Sequence, residues 1–135
     1  MDPATERRIL EEHLKKALEE AWTKTNNALE LGGKPVKDRE MAVWSAMESV
    51  EFTSFLFSLT YDLEDVDPPP PSTKGKDIAS LVEEAVNDLE LVRGSGSREK
   101  LGDYTFLRNA VHDLRTALLE FRKKPGKTRM NLTRS

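Results

Sequence analysis

The chain has 135 residues, no cysteine and 33% charged residues, above the ~25% usual for soluble domains. A single domain of this size can bury a core without staples, and the lack of cysteine excludes disulfides and thiolate metal sites. The net charge of −3 hides an asymmetry, because residues 122–135 carry six of the 21 Lys and Arg and none of the 24 Asp and Glu. The acidic remainder is unsuited to non-specific nucleic-acid binding.

The opening Met1-Asp2-Pro3-Ala4-Thr5-Glu6 has neither a basic start nor an apolar run, so no secretory signal is expected there. The longest apolar stretch, Val50 to Leu59, is interrupted by Glu51, Thr53, Ser54 and Ser58. It also falls short of the ~20 residues that span a bilayer. The expectation is a cytoplasmic protein that does not engage a membrane.

Apolar residues at spacings of three and four predict a first helix over about 4–31, with Leu10, Leu14, Ala17 or Leu18, Ala21 or Trp22, and Ala28 or Leu29 inward. Asp2 can cap it, Pro3 suits its first position and Gly32 ends it. A second helix is expected over 37–64. Val43, Met47, Val50, Phe57 and Tyr61 form one row on it, Phe52, Leu56, Leu59 and Leu63 another, with Trp44 and Phe55 between. A helix apolar over most of its circumference is either central in its bundle or covers a second chain. If it covers a second chain, Trp44, Phe52, Phe55 and Phe57 are the expected interface.

Pro68 to Pro71 cannot continue a helix and predict a stiff, extended crossover. The third helix is expected over 77–93, with Ile78, Leu81, Val82, Ala85, Leu89 and Val92 inward and Gly94-Ser95-Gly96 as its break. Arg98 to Leu101 suits a single turn. The fourth helix is expected over 103–123, capped by Asp103, with Tyr104, Leu107, Val111, Leu114, Leu118 and Phe121 as its stripe. No segment alternates with the period of a strand. The fold class is all-α: a single-domain antiparallel four-helix bundle over 1–123, followed by a basic flexible tail over 124–135.

Little in this pattern carries chemistry. No His stands three residues after a Glu, the pairing that a bundle di-metal site needs, and no phosphate-cradling glycine loop is present. Glu48 and Glu51, with Glu84 and Asp88, loosely resemble the magnesium carboxylates of all-α nucleotide pyrophosphohydrolases. Those families use Glu-x-x-Asp for the second pair, whereas Glu84 and Asp88 are four apart. No cofactor and no metal ligand set is assigned. The tail residues Arg122, Lys123, Lys124, Lys127 and Arg129 could meet RNA or DNA phosphates or an acidic partner.

Arg108 and His112, four apart, share one face of the fourth helix, with Arg115 extending the row and Asn109 beside them. An imidazole next to a permanent cation suits phosphodiester cleavage, histidine moving the proton and arginine stabilising charge. A solvated helix shoulder has the same spacing.

The stretch Phe106-Leu107-Arg108-Asn109-Ala110-Val111-His112-Asp113 resembles the signature helix of HEPN domains, small helical bundles often found as toxins or nucleases. Ala42 to Glu51 and Lys76 to Glu84 are similar to other segments of those domains, so the resemblance spans about residues 40–122. It implies a metal-independent ribonuclease with Arg108 and His112 catalytic, Asn109 orienting, and the site formed across a dimer. Family members separate Arg from His by a longer gap than the three residues found here. The reading favoured by the whole sequence is a non-enzymatic, homodimeric helical-bundle interaction protein, which binds a protein partner or presents its basic tail to nucleic acid. The HEPN-like ribonuclease and the pyrophosphohydrolase are the alternatives.

Overall fold

A computed structural model describes residues 2–95 and 99–134, the backbone alone from 124 onward. Four helices account for the architecture: α1 (Pro3–Glu30), α2 (Val36–Thr60), α3 (Ile78–Gly94) and α4 (Lys100–Arg134). The all-α four-helix bundle expected from the apolar periodicity is what the chain forms. Among the described residues no helix is long and apolar enough to cross a membrane.

The helix starts follow local chemistry. The Asp2 carboxylate accepts the Thr5 backbone N–H at 2.7 Å, and Asp77 accepts that of Ser80 at 2.8 Å, each satisfying a donor that the first turn leaves free. Two boundaries differ from expectation. α2 stops at Thr60 rather than near 64, because Asp62 takes a left-handed backbone (φ 57°) and the Leu63 N–H bonds back to the Ser58 carbonyl at 2.9 Å. This is the six-to-one closure usually given to glycine. α4 begins at Lys100, not after Asp103, since Asp103 does not serve as a cap. Its buried carboxylate instead accepts the Ser95 hydroxyl at the end of α3. Gly96, Ser97 and Arg98, expected in that connection, lie outside the described residues. The span of α4 continues through Pro125 to Arg134, past the expected end at 123. Proline lacks the N–H that would bond back four residues, here to Phe121. The side chains of the expected basic tail from Lys124 on lie outside the described residues.

Packing joins α1 to α2 and α3, and α4 to α2 and α3, leaving α2 and α3 on one diagonal. Cross-helix bonds fix the directions. Thr53 on α2 donates to the Ala17 carbonyl at 3.1 Å and Tyr61 to Glu11 at 3.0 Å, so α1 and α2 are antiparallel. Trp22 donates to Glu90 at 3.3 Å while Arg93 clamps Glu19 at 2.8 and 3.1 Å, which sets α3 antiparallel to α1. α3 therefore runs the same way as α2. The chain must return along the length of α2, about 37 Å, before α3 begins. Residues 61–77 make that journey, and the four prolines keep it extended.

The core lies where the stripes meet: Leu14, Ala17 and Ala21 from α1, Val43, Ala46 and Val50 from α2, Leu81, Ala85 and Leu89 from α3, and Leu107, Val111 and Leu114 from α4. Hydroxyls admitted to this core find backbone acceptors. Thr25 donates to Ala21 at 2.7 Å, Thr60 to Leu56 at 2.8 Å, and Thr53 shares its proton between Ser49 at 2.8 Å and Ala17. These core hydroxyls are thus satisfied.

Candidate functional site

Two surfaces remain once the bundle is packed, one polar on α4 and one apolar on α2. The polar one is made by the crossover. Asp67 and Pro68 to Pro70 run along the outer flank of α4 and close a small cleft, about 140 Å³, over Arg108, Asn109, His112 and Arg115. The three residues singled out by spacing are therefore brought together, and Arg115 joins them. Arg108 and Arg115 both reach across to α2. The Arg108 guanidinium donates to the Ser54 hydroxyl at 3.2 Å, and Arg115 pairs with Glu51 at 3.0 Å. Both cations thus have partners within the fold, and the cleft is well below the ~300 Å³ of an ordinary small-molecule pocket.

His112 and Asp113 are sequence neighbours that face different helices. His112 lines the crossover cleft, whereas Asp113 is 1% exposed on the side of α3, with its Oδ1 buried and lacking a hydrogen-bond partner. Burial pushes the Asp113 carboxyl up to about 7, with the charges of Glu84 and Asp88 adding to the effect and Lys76 opposing it. Asp88 is raised to about 6, again first by burial and then by Glu84. Lys76, at the end of the crossover, pairs with Glu84 at 2.8 Å and its positive charge acts on both aspartates.

The carboxylates considered for magnesium do not converge. Glu48 and Glu51 stand on α2, Glu84 and Asp88 on α3, and those helices are diagonal to one another. Glu51 is committed to Arg115 and Glu84 to Lys76. Among the described residues no three His, Asp or Glu side chains form a metal-binding group.

The apolar surface lies on the outer side of α2. Met41 (64% exposed), Trp44 (45%), Phe52 (58%), Phe55 (57%) and Leu59 (39%) stand at helical spacing on one face, with Glu48 among them. Grooves flank it on both sides. His13, Lys16 and Glu20 of α1 border Phe52, and Leu118 and Arg122 of α4 border Met41 and Trp44. Phe57, expected in the interface with Trp44, Phe52 and Phe55, belongs instead to the core. It is 3% exposed and stacks on Tyr104 at 6.2 Å between ring centres. Phe55 and Phe57 are two positions apart, which on a helix places them on opposite sides. Met41 was not foreseen, although its three-residue spacing from Trp44 carries the signal.

Of the basic residues, Arg122 and Lys123 are exposed, and Lys123 pairs with Glu120 at 3.1 Å. The side chains of Lys124, Lys127 and Arg129 lie outside the described residues. Comparison with protein-family models, with curated proteins and with solved structures finds no match to this chain.

The raised carboxyls give folding a pH dependence of definite sign. Folded Asp88 and Asp113 hold protons that the unfolded chain releases near pH 4, so their contribution is most favourable below that value and is lost as pH rises through about 6 to 7. Each group adds a slope of at most about 1.4 kcal/mol per pH unit. Urea unfolding at pH 5 and pH 8 should show the native chain losing more stability over this interval than Asp113→Asn. Parallel profiles would contradict the assignment.

Proposed function

We propose that this chain is a helical-bundle interaction protein of the cytoplasm, not an enzyme, which docks a protein on the outer face of α2 and takes a second copy of itself as that protein. One observation carries the reading: Met41, Trp44, Phe52, Phe55 and Leu59 stay exposed on one face after α2 has packed against α1 and α4. Of the other large exposed apolar residues among those described, Val36 stands at the start of α2, while Ile9, Leu91, Leu101 and Leu119 stand on other helices. Scattered apolar residues are ordinary on a soluble surface, but a continuous stripe of aromatic ones marks a docking face. Aromatic residues and methionine are also the types enriched at interface centres.

Sedimentation analysis of the native chain and of Phe52→Lys tests this reading. The native chain should associate and the variant should be monomeric. The variant's melting temperature, compared at a concentration where both are monomeric, should change little because Phe52 contributes little to the core. A native chain that stays monomeric at high micromolar concentration would count against it.

A second reading, metal-independent RNA cleavage, is favoured by the shared cleft of Arg108, Asn109 and His112. His112 would move the proton and Arg108 would meet the phosphate charge, with Asn109 orienting. The engaged guanidiniums and the proline wall weigh against it. Incubation of RNA with the protein in EDTA separates the two readings. The interaction reading expects no cleavage. The ribonuclease reading expects cleavage that His112→Ala abolishes while stability stays within about 1 kcal/mol.

A further inference from the structure

We infer that the second copy seats antiparallel on α2, about a two-fold axis level with Val50, so that the basic end of each chain meets the acidic end of the other. This inference rests on the reading of the α2 face as a docking surface and specifies how that face is used. Three observations carry it.

The stripe is nearly its own mirror when α2 is reversed. An axis beside Val50 sets Met41 against Leu59 of the second copy, Trp44 against Phe55, and Phe52 against Glu48. An isologous contact needs this property, since one patch must complement itself. The same register turns the single charge in the stripe to use. Lys16 borders Phe52 in the groove between α1 and α2, so it approaches Glu48 of the second copy.

The exposed area is of the size a dimer needs. With about half of each side chain uncovered, the five residues expose on the order of 500 Å² of apolar surface. A standard interface covers about 800 Å² per partner and is roughly three-fifths apolar. The polar rims supplied by His13, Glu20 and Arg122 make up the difference.

Charge along α2 selects the direction. Lys34, Lys37 and Arg39 stand at its N-terminal end with Arg122 of α4, against Asp38 and Glu40. Exposed Asp62, Glu64 and Asp65 stand at the other end, Asp62 paired with Arg7 of α1. A parallel arrangement would stack these carboxylates on one another and lysines on lysines. Reversal places each basic end over an acidic one and also opposes the two helix dipoles.

Because the chain has no cysteine, single spin labels report the geometry directly. Labels would be placed at Glu20→Cys, which borders the face near the axis, and at Asp38→Cys, near the start of α2. Each labelled protein would be confirmed as a dimer by sedimentation before pulsed distance measurement. The antiparallel seat predicts a Glu20 pair below about 20 Å and an Asp38 pair near 36 Å, from the rise of an α-helix on both sides of Val50. A dimer with both pairs short would be parallel, and would overturn this inference while leaving α2 as the docking face. A dimer with both pairs long would place the contact elsewhere and overturn both. A native chain that is monomeric under these conditions would likewise overturn both.

Discussion

The direction of α3 decides most of what this bundle exposes. α2 and α3 run the same way on one diagonal, so the chain must travel back along α2 between them. A flexible loop of that length would be costly to order, and the four prolines remove much of that cost in advance. The strap then has to lie somewhere. It lies on α4, walling the flank that carries Arg108, Asn109 and His112, and its last residues bring Lys76 to Glu84 and the aspartates beside it. Among the described residues, no such strap covers the outer face of α2. One topological constraint therefore narrows the polar cleft and leaves the aromatic face open.

α2 itself is built for two kinds of contact. Its inner sides use small and hydroxylated residues, Ala46, Ser49, Thr53 and Ser54, which admit α1 and α4 closely and tie to them through Thr53 and the Ser54–Arg108 bond. Its outer side uses large aromatic residues that stay about half exposed after the bundle has packed. A surface helix that served only its own bundle would carry charge there. The buried Asp113 shows the opposite economy: a carboxyl kept in a dry helix seam, where burial and the like charges of α3 favour its protonated form. Such a group costs stability near neutral pH.

Much of this was legible in the chain itself, for definite reasons. The stripes of α1, α3 and α4 follow helical spacing, and the residues they name form the core or, like Leu10, Trp22 and Ile78, pack against it. The end of α2 was missed because Asp62, not glycine, adopts the left-handed closing position. The direction of α3 had no local signal, since a stiff crossover is compatible with more than one path. The circumference of α2 is apolar on both sides, so spacing alone could not say which row faces inward. Packing settles that, sending Phe57 to the core and leaving Phe55 outside. The neighbourhood of Arg108 and His112 followed from their separation by one helical turn, but the wall of prolines above them did not.

The central claim is that the outer face of α2 is covered by another protein molecule, and Trp44 stands on that face. In a Trp22→Phe background its fluorescence is the only indole signal, because the chain has two tryptophans. Emission and acrylamide quenching would be followed as protein concentration rises. The account predicts a shift to shorter wavelength and a loss of quenching over the same concentrations at which the mass doubles. Emission that remains that of a solvent-exposed indole while the mass doubles would contradict it.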